Sequence, residues 1–273
     1  MTLADLRGKV AVVTGAGSGI GRAVAMRGAA EGMKVAIIDI DPDDLGETAR
    51  LIQQEGGACE QFVVDVADRA RMAQLAVDVE ERLGSVDLLV NNAGVGMRGL
   101  AWERPYEDWD WVLGVNLWGA VHGIHEFVPR MVERGEPAHV VNTASIAGLI
   151  TGPYSCLYTT GKFAVVGLSE CLAADLAEVG SAVGVSVLCP GWVRTRIVDA
   201  ARHRTHADAA GPSSKEQELE ASTRLGVEAG MDPAVVAGQV FDAIRTGAFW
   251  VLTHDYSDTI RRRSEAILDA YGR

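Results

Sequence analysis

Two side chains that could together transfer a proton, Tyr158 and Lys162, lie four residues apart. This spacing places both on one face of a helix, where neighbouring side chains approach each other. A phenol has a pKa of about 10 and is a poor base at neutral pH, but a fixed ammonium group nearby favours the phenolate and lowers that pKa. The pair is therefore predicted to act as a general acid or base near neutral pH. Ser145, thirteen residues before Tyr158, could hold a substrate oxygen from the other side.

The segment around these residues is predicted to be a strand, a loop and a helix. Residues 139–141 are a short apolar run typical of a buried strand. Residues 152–153, Gly-Pro, mark a loop, and the helix continues to about residue 179. Any long chain contains chance Tyr and Lys pairs at this spacing. A surface pair without function is therefore the alternative for this segment alone.

A second pattern, near the N-terminus, predicts a dinucleotide site. Residues 9–14 are an apolar run of the kind found in buried parallel strands, and a glycine-rich turn over residues 14–21 leads into a helix. Glycines let the backbone approach a pyrophosphate at the N-terminus of that helix. The next strand ends at Asp39, eighteen residues after Gly21, close to the spacing expected for a carboxylate that binds the adenosine ribose. The order of elements disfavours the alternative, a glycine-rich loop without a ligand.

The rest of the chain alternates between helix and strand, which indicates a parallel sheet covered on both faces. Helices are predicted at residues 43–55, 68–83, 106–134, 233–246 and 257–270, and strands at 60–65, 87–90, 183–188 and 249–252. Asn91 follows a strand at the sheet edge where ligands collect, and it could contact the cofactor or merely cap the strand. Asn116 falls in the apolar stripe of the 106–134 helix, where it could be a satisfied buried amide or mark a kink. His122 and His125 have no carboxylate-rich partner set, so no metal site is predicted.

Composition limits the classes of function. The 273 residues are 48% apolar, enough for one large α/β domain over residues 1–273, and the formal net charge of −12 argues against nucleic-acid binding. The four cysteines show no C-x-x-C spacing and are predicted to be buried free thiols in a reducing compartment. No signal peptide is visible, and no apolar run approaches the ~20 residues of a membrane span. We therefore expect a cytoplasmic protein that acts on small molecules.

Five motifs occur in the order that makes the chain resemble the short-chain dehydrogenase/reductase family over about residues 7–254. The motifs are Thr14-Gly-x-x-x-Gly-x-Gly21, Asp65-Val66, Asn91-Asn-Ala-Gly94, Asn116 with Ser145 and Tyr158-x-x-x-Lys162, and Pro190-Gly191 leading to Thr195. The resemblance implies an α/β, single-domain, Rossmann-type fold. Its doubly wound sheet would have seven parallel strands in the order 3-2-1-4-5-6-7, with helices on both faces. The resemblance also implies a homodimer or homotetramer.

The resemblance implies a role for each motif residue. Tyr158 would be the acid/base, and Ser145 would hydrogen-bond the substrate oxygen. Lys162 would bind the nicotinamide ribose and lower the Tyr158 pKa, and Asn116 would link Lys162 to a proton relay through its main chain and a water. The implied cofactor-binding residues are Gly15, Ser18, Gly19, Ile20, Gly21, Asp39, Asp65, Val66, Asn91, Ala93, Gly94, Tyr158, Lys162, Pro190, Gly191, Val193 and Thr195. Gly161 and Ala144 depart from the residues that the family more often has, but neither removes a group that the mechanism needs.

These features predict an NAD-dependent dehydrogenase of secondary alcohols that can also reduce the ketone. The first alternative is an NADPH-dependent carbonyl reductase. Asp39 disfavours it, because its carboxylate would repel the 2′-phosphate of NADP. The two positions at which a basic residue usually offsets that phosphate are occupied here by Ser18 and Ile40. The second alternative is a catalytically silent nucleotide sensor or scaffold protein. The complete set of catalytic residues disfavours that one.

Substrate contacts are predicted from apolar and aromatic side chains near the motifs: Met97, Leu149, Ile150, Tyr154, Leu157 and Trp192. They suggest a hydrophobic, bulky or aromatic alcohol. Residues 196–230 lack periodicity and are predicted to form a lid that is mobile without ligand and closes over the substrate. His203 and His206 could meet the substrate there, although we expect both to be solvent-exposed. An additional C-terminal helix at about residues 257–271 could shape a subunit interface.

Overall fold

A seven-stranded parallel sheet forms the centre of the computed structural model, which describes residue 3, residues 5–204 and residues 213–272. The strands are β1 Val10–Thr14, β2 Lys34–Asp39, β3 Ala58–Val63, β4 Val86–Asn91, β5 Ala138–Thr143, β6 Val183–Cys189 and β7 Trp250–Leu252. Their order is β3-β2-β1-β4-β5-β6-β7, and every pairing between them is parallel. The predicted fold class and strand order are confirmed.

Helices cover both faces of this sheet. They are α1 Gly19–Ala30, α2 Pro42–Gln54, α3 Arg69–Leu83, α4 Tyr106–Leu113, α5 Gly119–Arg134, α6 Cys156–Glu178, α7 Ser214–Glu228, α8 Pro233–Thr246 and α9 Ser257–Leu268. Successive residues of β1 point to opposite faces, as the period of two in a strand requires. Ala11 and Val13 pack with α1, α2 and α8, whereas Val10 and Val12 pack with α3, α5 and α6. The continuous apolar run of β1 is thus explained by burial on both sides.

Two predicted elements differ from the structure in their boundaries or their form. β3 begins at Ala58 and ends at Val63 because it pairs in register with β2, from Lys34 opposite Ala58 to Asp39 opposite Val63. The predicted helix over residues 106–134 is divided by a π-helical turn, Gly114–Trp118, which joins α4 to α5. Asn116 is buried inside that turn. The kink considered for Asn116 therefore takes the form of a π-turn, a feature often found at functional sites.

The segment over residues 196–230 has more regular structure than its sequence suggests. A 3₁₀ turn covers Ile197–His203, and α7 begins with a capping box in which Ser213 and Glu216 bond each other's backbone. The buried side chains of α7 are Glu216 and Val227, so the helix has no apolar stripe for periodicity to reveal. Residues 205–212, which include His206 and the Gly-Pro pair of the predicted lid, lie outside the described residues.

Some surface features differ from expectation. Cys189 is buried and Cys59 partly buried, but Cys156 and Cys171 are exposed, so the prediction of four buried thiols is wrong for those two. The predicted C-terminal helix, α9, is present and has no buried residue. Within the described ranges, no helix is long and apolar enough to cross a membrane. The same ranges contain no group of three His, Cys, Asp or Glu side chains able to hold a metal ion.

Candidate active site

The three side chains predicted to do chemistry come together at the carboxyl end of β5. Ser145 follows the strand and begins a 3₁₀ turn, where its Oγ accepts a hydrogen bond from the Ala147 N–H at 3.1 Å. Tyr158 and Lys162 lie one turn apart in α6, with the Lys162 Nζ 5.6 Å from the centroid of the Tyr158 ring. Lys162 is 2% exposed and donates from Nζ to the Thr143 carbonyl at 2.9 Å. The ammonium group is therefore fixed in place, as the sequence analysis required.

The electrostatics of this group differ from the expectation in one respect. Burial raises the pKa of Tyr158 above its usual value, and it is the Ser145 hydroxyl and the charge of Arg98 that act in the opposite direction. The predicted lowering of the Tyr158 pKa by Lys162 is therefore not what this structure shows. Burial also lowers the pKa of Lys162 to about 8, so its ammonium form predominates only below that pH.

Asn116 positions the loop that follows β4. Its Nδ2 donates to the Val95 carbonyl at 2.9 Å, and its Oδ1 accepts from the Val95 N–H at 2.8 Å. Both polar atoms of the side chain are thus engaged by one backbone unit. Gly161 explains how α6 comes so close: a Cβ there would lie 3.3 Å from the Asn116 Cβ, tighter than ordinary contact. The departure at Gly161 therefore serves the packing of α6 against the π-turn.

The glycine-rich turn after β1 has the geometry needed to cradle a pyrophosphate. Gly19 has φ +53°, a conformation that side chains other than glycine rarely adopt, and a Cβ there would meet the Thr195 side chain at 2.7 Å. Gly21, in the first turn of α1, lies against the Gly15 carbonyl oxygen, which is 2.1 Å from where a Cβ of Gly21 would be. The glycine turn therefore lies in contact with the segment that follows β6. The N-terminus of α1 is the end at which a pyrophosphate would bind.

Asp39 lies where the adenosine ribose is expected. Its Oδ2 accepts from the Gly17 N–H at 2.8 Å and its Oδ1 from the Asp41 N–H at 3.1 Å. These two bonds fix the carboxylate at the rim of the cleft. Each oxygen keeps a further lone pair with which it can accept a hydrogen bond.

One cavity of about 570 Å³ connects the glycine turn to Tyr158. The predicted residues that line it are Gly15, Ser18, Gly19, Ile20, Asp39, Asp65, Val66, Ala93, Gly94, Tyr158, Lys162, Pro190 and Thr195. The glycine cradle, the ribose-facing acid and the fixed lysine lie along this single groove. A dinucleotide therefore fits the residues that are present.

Four other predicted cofactor residues lie outside the lining of this cavity: Gly21, Asn91, Gly191 and Val193. Asn91 is buried between strands, where its Nδ2 donates to Asn142 Oδ1 at 2.9 Å. The next residue, Asn92, lines the cavity instead, and its Nδ2 donates to the Thr14 carbonyl at 3.0 Å. Successive side chains of a strand point to opposite faces, so Asn92, and not Asn91, is directed into the cavity.

None of the six residues predicted to contact the substrate lines this cavity either. Met97 packs with Val112 and Leu157, and Leu149 packs beside Ala144. Trp192 lies against Gly226 of α7 and the backbone at Gly230. Tyr154 has φ +58° and lies in the loop before α6. Their contact with substrate therefore stays a prediction.

Charged residues from the segment after β6 reach the cavity, and sequence reasoning missed them. Arg196 and Arg202 line the cavity together with His203, whose Nε2 is 3.9 Å from Asp41 Oδ2. His203 is thus partly buried, contrary to the expected solvent exposure. No local signal could have placed Arg202 beside Asp44, because that contact joins positions 158 residues apart.

Comparison with known proteins agrees with this geometry. A family model described as short chain dehydrogenase matches residues 9–206. The CLA biosynthesis dehydrogenase/reductase of Lactiplantibacillus plantarum is 33% identical over 271 residues, 97% of this chain and 94% of that protein. The 1-deoxy-11-beta-hydroxypentalenate dehydrogenase of Streptomyces exfoliatus is 36% identical over 251 residues, 91% of this chain and 84% of that protein. A short chain dehydrogenase/reductase from Burkholderia phymatum, solved in complex with NAD, is 42% identical with a TM-score of 0.94, covering 96% of this chain and 95% of that one.

Proposed function

Because the chain belongs to the short-chain dehydrogenase/reductase family, we propose that it is an NAD-dependent oxidoreductase that interconverts a hydrophobic secondary alcohol and its ketone. The observation that carries this proposal is that Tyr158 and Lys162 line the same cavity as the glycine turn, with the Ser145 hydroxyl hydrogen-bonded to Tyr158. The name of the Streptomyces relative, a hydroxypentalenate dehydrogenase, supports oxidation of a hydroxyl group. The NAD complex of the Burkholderia structure supports the choice of cofactor.

The chain's own residues perform the proton chemistry. In alcohol oxidation, Ser145 donates a hydrogen bond to the alcohol oxygen, and the phenolate form of Tyr158 takes the hydroxyl proton as general base. In ketone reduction, the Tyr158 hydroxyl returns that proton as general acid. Bound NAD supplies the acceptor for the hydride from the carbinol carbon. Lys162, fixed by Thr143, keeps a positive charge that stabilises the Tyr158 phenolate at pH values below about 8. Both polar atoms of the Asn116 side chain bond the Val95 backbone, which favours a relay through the main chain of Asn116.

Replacement of Tyr158 by Phe tests the proposed chemistry. The change removes only the proton-accepting oxygen, so kcat should fall by about 10²–10⁴ while NADH affinity stays near that of the wild type. Lys162→Ala should weaken both turnover and NADH binding. Absorbance at 340 nm with a panel of aryl and aliphatic secondary alcohols measures turnover, and quenching of protein fluorescence measures binding. Tyr106→Phe, at a side chain that is 85% exposed, is the matched control.

Two results would contradict the proposal in different ways. Retention of more than roughly a tenth of the activity in Tyr158→Phe would exclude Tyr158 as the acid/base, since that loss is far below the range for such a group. NADH binding without turnover of any alcohol or ketone by the wild type would favour the silent nucleotide-sensor alternative.

A second experiment tests the preference for NAD over NADP, which rests on Asp39. Two like charges about 4 Å apart repel by on the order of 4 kcal/mol at an effective dielectric of 20, so Asp39 should disfavour a 2′-phosphate. The nearby cations do not cancel this effect, because Arg202 and His203 face Asp44 and Asp41. We expect kcat/KM to favour NAD at least about 100-fold, or roughly 2.7 kcal/mol.

The double change Asp39→Ser with Ile40→Arg should shift that preference toward NADP. Asp43→Ser, which removes an exposed acid nearby, should leave it unchanged. Comparable kcat/KM values for the two cofactors in the wild type would refute this role of Asp39 and favour the NADPH-dependent reductase.

The proposal also includes a cytoplasmic homodimer or homotetramer. The helix α9, none of whose residues is buried, supports the oligomer, because its apolar residues Ile267 and Leu268 are 48% and 64% exposed in the single chain. Sedimentation of the full chain and of a chain truncated before α9 would measure the contribution of that helix.

A further inference from the structure

Arg98 lies in a loop that is fixed beside the catalytic helix. The loop leaves β4 and is held at Val95 by both polar atoms of Asn116. Just after Arg98, the Gly99 N–H donates to the Tyr154 carbonyl at 2.9 Å, and Gly99 forms an isolated parallel bridge with Ser155. Ser155 immediately precedes α6, so Arg98 is anchored next to the first turn of the helix that carries Tyr158.

The guanidinium of Arg98 is half-buried and has one neutral partner among the described residues. Its Nη2 donates to Thr223 Oγ1 in α7 at 2.8 Å. That hydroxyl in turn donates to the Leu219 carbonyl at 2.7 Å and brings no negative charge. A guanidinium has five N–H donors in a planar fork, so most of the donors of Arg98 remain available.

Other arginines of the same region behave differently, because each faces a carboxylate. The pairs are Arg104 with Glu216, Arg204 with Asp108, Arg224 with Asp199, and Arg196 and Arg202 with Asp44. No carboxylate of the described residues lies within ion-pair distance of Arg98. Partial burial of a charge is unfavourable unless a partner compensates it. A bound anion would compensate this charge, and the described residues do not supply one.

The position of Arg98 identifies the substrate rather than the cofactor as the source of this anion. Arg98 is not part of the lining of the large cofactor cavity. It lies between α7 and the catalytic helix, on the side of the predicted substrate residues Met97 and Tyr154. Burial lowers the pKa of Arg98, and the titratable group whose charge opposes this is Tyr158, so the two side chains are close enough to interact. An arginine keeps its charge despite such a shift.

We propose that Arg98 binds a carboxylate of the substrate and so makes the enzyme selective for hydroxy acids over neutral alcohols of the same shape. A carboxylate matches the guanidinium fork with two parallel hydrogen bonds, which a neutral ester or amide cannot reproduce. The contact to Thr223 means that α7 covers this site, so the carboxylate would be bound in a place shielded from water. This inference rests on the proposed function for its substrate class, but it can be tested by binding alone.

The test uses matched acid and ester pairs. The probes are 4-acetylbenzoate and 3-acetylbenzoate with their methyl esters, titrated by calorimetry into the protein–NADH complex, and the corresponding 1-hydroxyethyl compounds assayed with NAD at 340 nm. The wild type should bind each acid at least about 30-fold more tightly than its ester, as expected for a charge pair shielded from solvent. Arg98→Gln should remove this preference, and Arg98→Lys should restore part of it. NADH affinity should not change in either variant.

Thr223→Val is the matched control, because it removes the contact to α7 and leaves the guanidinium in place. It should keep the preference for acid over ester. An acid that binds no more tightly than its ester to the wild type would overturn the proposal. So would an Arg98→Gln variant that weakens acid and ester equally, since Arg98 would then act only on Tyr158 or α7. Preferential binding of the acid that depends on Arg98, without turnover, would instead leave this inference standing and refute the proposed dehydrogenase function.

Discussion

The sheet framework and the segment that covers it are held together by different forces. In the framework, β1 and β4 are buried on both faces, and α1 packs against α8 through apolar side chains such as Phe241. The covering segment is the predicted lid, of which residues 196–204 and 213–230 are described. The lid is attached by arginine–carboxylate pairs and by the Arg98–Thr223 hydrogen bond.

This difference indicates how each region responds to change. Apolar packing is cooperative, because loss of one side chain disturbs all of its neighbours. Ion pairs act through a few contacts, and those near the surface weaken with salt. The lid is therefore expected to open locally while the framework stays folded. Its mobility and its closure over substrate stay predictions, and three experiments sharpen the contrast.

The largest effect is expected from Phe241→Ala in α8. Phe241 is fully buried, and its ring lies next to Gly28 of α1, at 3.5 Å from where a Cβ would be. Truncation of a buried Phe to Ala leaves a cavity and lowers the free energy of unfolding by about 3–5 kcal/mol. At about 2–4 °C per kcal/mol, Tm should therefore fall by roughly 6–20 °C. Differential scanning calorimetry measures this. Val235→Ala, on the same helix but 51% exposed, should change Tm little. A similar Tm for both variants would show that the framework does not depend on this packing.

A local effect, confined to the lid rather than spread over the whole fold, is expected from Asp108→Asn in α4. Asp108 is 0% exposed and pairs with Arg204 of the lid and, at 3.6 Å, with Arg104. Breaking a buried pair costs about 3–5 kcal/mol because a charge is left without its partner. Hydrogen exchange of α7 should therefore accelerate by at least about 100-fold, while amides of the sheet keep their protection.

The matched control for that change is Glu107→Gln, which removes an exposed carboxylate from the same helix. If exchange in α7 accelerated no more in Asp108→Asn than in this control, the buried pair would not be what holds the lid. Equal acceleration in the sheet and in α7 would show instead that the two regions unfold together.

The smallest effect is expected at Asp44, at the rim of the cofactor cavity. Its carboxylate lies 2.6 and 2.7 Å from the Nη1 of Arg196 and 3.1 Å from the Nη2 of Arg202. Partly exposed pairs contribute up to about 1 kcal/mol and are screened by salt. Asp44→Asn should accelerate exchange at residues 197–203 by less than about 10-fold, and 1 M NaCl should do the same to the wild type. A salt effect equally large in the variant would show that these pairs are not its source.

The sequence by itself determined the framework and pointed to the residues proposed for catalysis. Burial on both faces leaves a continuous apolar run in each central strand, and the glycine turn and Asp39 follow from the order of local elements. Tyr158 and Lys162 are one helical turn apart, so their proximity is a local property. The resemblance to a known family supplied the strand order, which the structure confirms.

Only the tertiary structure decided which partners the arginines have at the rim of the cofactor cavity and in the lid. Arg98 contacts Thr223 across 125 positions, Arg204 contacts Asp108 across 96, and Arg202 contacts Asp44 across 158. Such pairs leave no periodic trace in the chain, because each arginine looks locally like any solvated side chain. The same holds for Gly161. The reason for a glycine there is the close packing of α6 against Asn116, which only the tertiary structure shows. Hydrophobic patterning records what each element buries, whereas the partner of a charge is fixed only when distant elements are brought together.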